Sequence, residues 1–514
     1  MLLRVTAWIP SVSKAAYRWL EVTTLLAILA LAAYLRLANL RDNPGWYTDE
    51  ATHLDIALHL LRGQTQYLAI NQSTLLFARL PLFEWMLAGL LALGGEPMST
   101  LRAFTATCGV GSVVALYAVL RRISRDVVLA LFAALLLAIY PPAVLYSRFG
   151  FSYNLLTPLA LLALLGMGEY ADTQRRRWLA LAALAVGLGA VSDLLMLSFV
   201  GPLVIVVIAR RWKDALWAAP LAALPLSLYA ALMLITAPRA FLFDAHHTLF
   251  RLNTLTLPQQ LAALADNAAV LLTQEPWFAA GLFGLFLFRP ARLRWLSLLL
   301  CLLPLIQLGR TAALYSLSFY YLIPFLPFVA LGVAALAHHG AEFGVGALAP
   351  VLRVEARTPN WRMLIIGALV AAPFVASVKD TLDQVEQGFV TAIDPFLIDP
   401  ADARAAARFI NHSVAEEEVV IASPAMAWLI HARAADFQMA VAADGHAAVH
   451  LPASLPVDRF AFDPRLSRAR FVVVDNLWRN WAAVHVPAVA EMIHEVETWP
   501  LVFQAGEIEV YQRR

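Results

Sequence analysis

The stretch Gly45-Trp46-Tyr47-Thr48-Asp49-Glu50-Ala51-Thr52-His53 contains two neighbouring carboxylates just after the first apolar segment of the chain. A carboxylate beside the hydrocarbon region of a membrane is energetically costly, so it is usually paired, hydrated or functional. The structural alternative is a solvated loop in which Thr48 or Asp49 caps a short helix and Glu50 lies in its first turn. The rest of the chain decides between these interpretations.

The amino-acid composition is typical of a polytopic membrane protein. Of 514 residues, 61% are hydrophobic and 14% are charged, and the mean hydropathy is +0.68. Soluble domains have about 45–50% apolar and about 25% charged residues. The net charge of +2 gives no reason to expect nucleic acid as a partner. Cys108 and Cys301 both lie in apolar runs, so we predict buried thiols and no disulfide or metal site.

The lengths of the apolar runs predict the number of membrane spans. The first run follows Lys14 and Arg18 and resembles an uncleaved signal anchor. The run at 81–93 is too short to cross a bilayer, so we interpret it as a juxtamembrane or re-entrant helix. About eleven spans remain, near residues 22–38, 100–120, 127–146, 154–170, 178–192, 194–209, 214–236, 268–288, 295–309, 313–337 and 362–378.

The arginine clusters predict the orientation of these spans. When 81–93 is not counted as a span, all the clusters fall on one side, which the positive-inside rule makes cytoplasmic together with the N-terminus. The protein is then a multi-pass cell-membrane protein whose loops 41–99, about 146–154 and 237–267 are extracytoplasmic. The clusters are Arg121-Arg122-Arg125, Arg175-Arg176-Arg177, Arg210-Arg211-Lys213, Arg289-Arg292-Arg294 and Arg353-Arg357-Arg362.

From about Lys379 the composition changes to that of a soluble protein. Apolar strands alternate with helices, which predicts a small α/β domain with a mostly parallel sheet. We therefore divide the chain into a transmembrane domain, 1–378, and an extracytoplasmic α/β domain, 379–514. No glycine-rich phosphate loop is present, so we assign no nucleotide site. The predicted helices are 401–411, 424–432 and 487–497, and the predicted strands are 418–422, 471–475 and 508–511.

Polar residues gather in the predicted outer loops and at the start of a late span. Carboxylates together with arginines suit the transfer of a sugar from a lipid phosphate. A carboxylate can take the proton of the attacking hydroxyl, and cations hold the phosphate as its charge develops. Because no diphosphate has to be clamped, we expect no required cofactor or metal. The residues are Asp49, Glu50, His53, Asp55, Arg79, Tyr146, Arg148, Asn154, His246, His247, Arg251, Tyr320 and Tyr321.

The sequence resembles the GT-C membrane glycosyltransferases, specifically the branch that contains protein O-mannosyltransferases and the lipid A aminoarabinose transferase. Five short motifs within roughly residues 20–340 carry the resemblance through their order and spacing. It implies a mainly helical GT-C fold and a polyprenyl-phosphate-linked sugar donor. The sugar would be transferred, with inversion, to a hydroxyl of a protein, lipid or glycan. The motifs are Asp49-Glu50-Ala51, Arg79-Leu80-Pro81-Leu82, Leu101-Arg102, Tyr146-Ser147-Arg148 and Tyr321-Leu322-Ile323-Pro324.

The resemblance implies that Asp49 is the catalytic base and that Glu50 orients the acceptor or tunes Asp49. Two positions depart from the usual pattern. Arg79 stands where the family often has His or Lys, and it keeps the positive charge. Asn154 stands where many members have an acid, which puts a second acidic site, and a metal site with it, in doubt. As substrate- and phosphate-binding residues we predict Arg79, Arg148, Arg251, Tyr320, Tyr321 and His53.

Some of these residues have alternative interpretations. Arg79 or Arg148 could be a snorkelling interface anchor. His53 lies one turn after the acid pair and could bind zinc with it, although three mixed ligands form a weak pattern. The pair His246-His247 fits an ordinary wet loop as well as a lid over a site.

For the whole chain the alternative is a non-catalytic membrane subunit or a lipid transporter on the same helical scaffold. A transporter is expected to have polar or broken helices near the bilayer midplane, often in paired repeats. The sequence has one acid near a span junction, Asp193, and no convincing repeat. A non-catalytic subunit that had lost its activity would be expected to lose the acid pair as well. This chain keeps Asp49 and Glu50, so we favour an enzyme.

Overall fold

A computed structural model describes residues 14–72, 80–252, 255–288, 291–310, 319–338, 378–388 and 394–514. Within these ranges, five helices are long and apolar enough to cross a membrane, or up to seven if each of two bent helix pairs is one span. The chain is therefore a multi-pass membrane protein. The predicted span 362–378 and part of 313–337 lie outside the described residues, and the total of eleven spans stays a prediction.

Most of the described chain before residue 388 is helical, and several helices begin at a proline. Pro81, Pro97 and Pro276 each occupy the first turn, where the missing N–H leaves no hydrogen bond unmade. Three 3₁₀ segments, Leu194–Phe199, Trp212–Asp214 and Phe319–Phe325, interrupt the series. The helices are α1 (Lys14–Leu37), α2 (Thr48–Leu61), α3 (Pro81–Leu91), α4 (Pro97–Ile123), α5 (Val127–Ile139), α6 (Pro141–Arg148), α7 (Tyr153–Thr173), α8 (Arg176–Ala190), α9 (Val200–Arg211), α10 (Ala215–Thr236), α11 (Pro238–Leu252), α12 (Leu257–Gln274), α13 (Pro276–Leu287), α14 (Ala291–Gly309), α15 (326–338) and α16 (378–387).

The helical bundle packs closely where small residues face each other. A Cβ atom on Gly166 of α7 would lie 2.6 Å from the carbonyl oxygen of Trp178 in α8. Only glycine therefore permits this approach, as is common between membrane helices. At one end of the bundle, arginines pair with acids. Arg122 donates to Glu169 at 3.1 Å, and Arg176 donates to the buried Asp214 at 3.1 Å.

At the other end of the bundle, α2 is more buried than expected from its sequence, in which Leu54, Ala57, Leu58 and Leu61 lie at helical spacing and predict an amphipathic helix at 51–62 on the membrane surface. An amphipathic helix on the membrane surface would keep one polar face in water. Instead, nine residues of α2 are buried, including the polar residues Thr48, Glu50, His53 and Asp55. The polar face is covered because other parts of the chain, distant in sequence, pack against it.

Residues 394–514 form a C-terminal α/β unit with a five-stranded sheet. The strand order is β6-β5-β7-β9-β8, in which β5 is parallel to both neighbours and β9 is antiparallel to both of its neighbours. The sheet is thus mixed, and the expectation of a mostly parallel sheet was wrong. Two of its strands, β6 and β8, were not predicted, and both are more exposed than the predicted strands β5, β7 and β9. The strands are β5 (Val419–Ile421), β6 (Arg433–Ala435), β7 (Ala469–Val474), β8 (Leu501–Ala505) and β9 (Ile508–Gln512).

Helices cover both faces of this sheet, as the alternating sequence pattern predicts. They begin where side chains or prolines suit the first turn; the side chain of Asp399, for example, accepts hydrogen bonds from the first backbone N–H groups of α17. A π-helical segment, Trp478–Ala482, leads into α20. The helices are α17 (Pro400–Ser413), α18 (Pro424–Ala427), α19 (Phe437–Ala443), α20 (Ala483–His485) and α21 (Pro487–Val496).

The C-terminal α/β unit shares an apolar core with α2 and α3. Leu54 and Phe83 of these helices belong to the same buried cluster as Val420 and Val473 of the sheet. A short antiparallel pair joins β1 (Trp46–Tyr47) to β4 (Leu397–Ile398). The unit is therefore fixed directly onto the segment that contains Asp49.

Polar contacts strengthen this attachment. The guanidinium of Arg459 donates to both carboxylate oxygens of Asp244 in α11, at 2.7 and 2.9 Å, and both side chains are buried. It also donates to the backbone carbonyl of Asn71 at 3.1 Å, at the end of the hairpin of β2 (Gln66–Tyr67) and β3 (Ile70–Asn71). We call this set the Asp244–Arg459 clamp. It holds α11, the hairpin and the C-terminal α/β unit together.

The buried acid Asp436 predicts how the stability of the C-terminal α/β unit depends on pH. It follows β6 and caps α19 by accepting from Met439 N at 2.9 Å, but burial raises its pKa from 3.8 to about 7. A raised carboxyl pKa stabilises the fold fully below the unfolded pKa, and this contribution is lost as the pH rises through about 7. We expect thermal unfolding of the full-length protein in detergent to occur at lower temperature at pH 8 than at pH 5. Because the pKa in the folded state is about 7, the loss between pH 5 and pH 8 covers about two pKa units and is at most roughly 3 kcal/mol, at about 1.36 kcal/mol per unit.

Asp436→Asn tests this expectation, because asparagine is an equally good cap and carries no charge. The variant should be more stable than the wild type at pH 8 and should lose most of the difference between pH 5 and pH 8. The exposed Glu491→Gln in α21 serves as the control and should keep the wild-type pH dependence. An unchanged pH dependence in Asp436→Asn would contradict the assignment.

Candidate active site

The first turn of α2 orients the two adjacent acids differently. Glu50 is fully buried, and its carboxylate accepts from Tyr47 N at 2.9 Å and from Gly150 N at 2.7 Å. It also forms a bidentate pair with Arg102, in which both distances are 2.8 Å. Asp49, the preceding residue, is only partly buried. Because successive helical residues point in directions about 100° apart, Glu50 is directed into the protein.

Arg102 ties the loop before α2 to the start of α4. Its guanidinium is buried and paired with Glu50, and its other N–H groups donate to backbone carbonyls. These four hydrogen bonds hold the loop at residues 40–45 against α4. They also give each of the four carbonyls a hydrogen-bond donor. The carbonyls are those of Leu40, Arg41, Pro44 and Gly45, at 2.7 to 3.4 Å. The Glu50–Arg102 pair thus supports the position of Asp49.

Arg148, a predicted phosphate ligand, is buried at the end of α6. Its guanidinium donates to three backbone carbonyls, those of Leu35, Asn39 and Asn43, at 2.8 to 3.1 Å. Arg148 is therefore tied to the end of α1 and the loop after it inside the protein, whereas a snorkelling interface anchor would keep its charged end in water. Asn154 occupies the position where the resemblance leads one to expect an acid. Its side-chain amide likewise donates to the backbone carbonyls of Tyr146, Phe149 and Phe151.

His53 lies one turn after Asp49 on α2, but it points to α3. Its Nδ1 is 2.8 Å from Glu84 Oε1, both side chains are buried, and its ring packs edge-on against Phe83. The zinc alternative required His53 together with Asp49 and Glu50, whereas Glu50 is held by Arg102. Across the described part of the chain, no group of three or more His, Cys, Asp or Glu side chains could hold a metal ion.

Tyr320 and Tyr321 contribute to a dense group of aromatic rings beside the start of α2. Their ring centroids are 4.4 Å apart, and Tyr320 lies 6.2 Å from Tyr47 and 5.2 Å from Phe151. Tyr47 also stacks on Phe396 at 5.7 Å. We call this group the aromatic cluster, and its members are Tyr47, Tyr146, Phe149, Phe151, Tyr153, Tyr320, Tyr321 and Phe396.

Asp49 lies beside this aromatic cluster. Its negative charge acts on the phenols of Tyr47 and Tyr320. Burial, together with the charges of Asp394 and Asp49, raises the pKa of Tyr47. The Tyr47 hydroxyl therefore stays protonated at neutral pH and can donate a hydrogen bond. The arrangement combines a carboxylate that can accept a proton with aromatic faces and hydroxyls that suit a sugar ring.

Two further acids approach the aromatic cluster and were not predicted. Asp394, just before β4, acts electrostatically on Tyr47 and Tyr146. Glu275, between α12 and α13, accepts from the Tyr140 hydroxyl at 3.2 Å and also acts on Tyr146. No local sequence pattern marks either residue, because each reaches the site from a distant part of the chain.

Two predicted phosphate ligands stay untested. Arg79 lies outside the described residues. Arg251 is in α11, but its side chain is outside the described set.

Comparison with known proteins identifies the fold. Residues 78–239 match the model of the dolichyl-phosphate-mannose-protein mannosyltransferase family. ArnT from Cupriavidus metallidurans bound to undecaprenyl phosphate has a TM-score of 0.62 and 14% identity, and the match covers 97% of this chain and 98% of that one. Arabinofuranosyltransferase AftD from Mycobacteria has a TM-score of 0.52 and 17% identity, over 96% of this chain and 40% of that one. No curated protein matches the sequence significantly.

These proteins are glycosyltransferases of the GT-C class, and this chain has their fold. The resemblance predicted from the short sequence motifs is thereby confirmed. The family model covers α3 to α10, which include Arg102, and ends at residue 239, near the start of the predicted outer loop 237–267 that contains Asp244.

Proposed function

We propose that this protein is a membrane glycosyltransferase that moves a sugar from a polyprenyl-phosphate donor to an acceptor hydroxyl. The reaction takes place on the extracytoplasmic face, with the N-terminus in the cytoplasm. The observation that carries the proposal is the position of Asp49, which the buried Glu50–Arg102 pair holds beside the aromatic cluster. The match of residues 78–239 to a family with a dolichyl-phosphate-mannose donor supports the donor class.

In the proposed reaction, Asp49 takes the proton of the acceptor hydroxyl while that oxygen attacks the anomeric carbon. A new carbon–oxygen bond forms as the bond from the anomeric carbon to the phosphate oxygen breaks. The electron pair of that bond leaves with the polyprenyl phosphate. A single displacement of this kind inverts the anomeric configuration.

The growing negative charge on the leaving phosphate requires cations or hydrogen-bond donors. We propose Arg79 and Arg251 for the first role, with Tyr320 and Tyr321 as donors. Glu50 acts as a positioning residue through Arg102. A monophosphate leaving group makes a metal ion unnecessary to this mechanism.

The test is transfer of radiolabelled sugar from undecaprenyl-phosphate-linked donors by the full-length protein. The acceptor probe is a set of membrane vesicles from a strain that lacks the gene. We expect label in an envelope component, release of undecaprenyl phosphate in equal amount, and inverted anomeric configuration by NMR. If no donor yields transfer while undecaprenyl phosphate still binds, the protein is a non-catalytic lipid-binding subunit or a transporter.

A further inference from the structure

The strand that leads into the C-terminal α/β unit is paired with the strand that precedes Asp49. In this pair, Tyr47 lies opposite Leu397 and Trp46 opposite Ile398. Thr48 N continues the pattern by donating to the carbonyl of Phe396 at 3.2 Å. The residues just before Phe396 are therefore held at a defined position relative to the first turn of α2.

Asp394 occupies that position. Its Oδ1 accepts from Phe396 N at 3.0 Å, and its carbonyl accepts from Leu397 N at 3.1 Å, so a tight turn holds the carboxylate. Asp394 is partly buried, and burial raises its pKa above 3.8. The negative charges of Asp394 and Asp49 both act on the phenol of Tyr47 and raise its pKa.

Glu50 cannot supply the second carboxylate of the site, since its two oxygens are occupied by Arg102, Tyr47 N and Gly150 N. Asp394 instead comes from the side of the C-terminal α/β unit. In the proposed function the polyprenyl chain of the donor lies in the bilayer, so the donor would approach the aromatic cluster from the membrane helices. The part of the site next to Asp394 is thus available to the acceptor, which carries the hydroxyl groups.

We infer that Asp394 binds the acceptor, by accepting a hydrogen bond from an acceptor hydroxyl next to the one that Asp49 deprotonates. The acceptor then lies in the junction between the membrane helices and the C-terminal α/β unit, and it is a compound with at least two neighbouring hydroxyl groups. A carboxylate suits this role because it accepts hydrogen bonds from hydroxyls through either oxygen. The inference rests on the proposed function.

Asp394→Asn tests the inference in the transfer assay, with the deletion-strain vesicles titrated as the acceptor probe. A hydrogen bond to a charged group is lost, so we expect the half-saturating vesicle concentration to rise roughly 10- to 100-fold. The donor KM and the affinity for undecaprenyl phosphate should stay at wild-type values. Asp394→Glu should recover part of the loss. Asp380→Asn, an exposed acid in α16, is the matched control and should behave as the wild type.

The outcomes separate the two proposals. Wild-type acceptor saturation in Asp394→Asn would overturn the inference alone. The same holds if donor affinity and thermal stability fall in parallel with acceptor affinity, because Asp394 would then be structural. If the wild type transfers no sugar from any donor, the proposed function fails and this inference fails with it.

Discussion

Asp49→Asn is expected to lower kcat for sugar transfer by about 10² to 10⁴, the usual contribution of a general base. Asparagine keeps the shape of the side chain and its place in the first turn of α2, but it cannot take the proton of the acceptor. The measurement is single-turnover transfer from a radiolabelled undecaprenyl-phosphate donor at saturating acceptor. Binding of undecaprenyl phosphate should be unchanged, since the substitution removes a negative charge and no cation.

Asp42→Asn provides the matched control for this experiment. Asp42 lies in the loop before α2, seven residues before Asp49, is about half exposed, and pairs with Arg404. Surface pairs of this kind contribute little, so the control should transfer sugar at close to the wild-type rate. Equal rates in Asp49→Asn and the wild type would remove Asp49 from the mechanism, and Asp394 or Glu275 would become the candidate base.

Arg102→Met is expected to cause the largest loss of stability of any single substitution at the site. It leaves the carboxylate of Glu50 buried without a cation, and breaking a buried pair in this way costs about 3–5 kcal/mol. Four backbone carbonyls of the loop 40–45 also lose their donor. The measurement is the yield of monodisperse protein in detergent together with its thermal unfolding temperature.

The double variant Glu50→Gln/Arg102→Met separates charge from shape. Glutamine can still accept from Tyr47 N and Gly150 N but leaves no buried charge, so the double variant should be more stable than Arg102→Met alone. A double-mutant cycle then measures the coupling between the two side chains. Arg122→Met is the control, because the Arg122 side chain is largely exposed in its pair with Glu169. Wild-type stability in Arg102→Met would show that the buried pair is dispensable.

Local patterns were sufficient to predict the class of fold. The apolar runs, the proline-started helices and the Asp49-Glu50 motif all depend on neighbouring residues, so sequence spacing describes them well. The same reasoning identified Leu101-Arg102 as a motif. It could not show that Arg102 pairs with Glu50, 52 residues away, because periodicity does not specify which buried side chains meet.

The functions of charged residues near the membrane were harder to predict. Arg148 has the charge and position expected of a phosphate ligand, yet its N–H groups satisfy the carbonyls of a neighbouring loop. Asp394 has no distinguishing sequence context and reaches the site only because β4 pairs with β1. Similarly, the mixed sheet was not foreseen, because β8 and β9 form a hairpin on an edge whose direction the helix–strand alternation does not determine.

The Asp244–Arg459 clamp also has a consequence for the biogenesis of the protein. The two residues are 215 positions apart, which at 5–20 residues per second corresponds to roughly 10–40 s of synthesis. The Asp244–Arg459 clamp cannot form until Arg459 is synthesised, and β1 cannot pair with β4 until residues 397 and 398 are synthesised. The C-terminal α/β unit must therefore be synthesised and packed against α2, α3 and the β2–β3 hairpin before these early segments reach their final structure. A ribosome that stalls before residue 397 would leave a chain without the clamp and with an open strand edge at β1, which quality-control proteases can recognise.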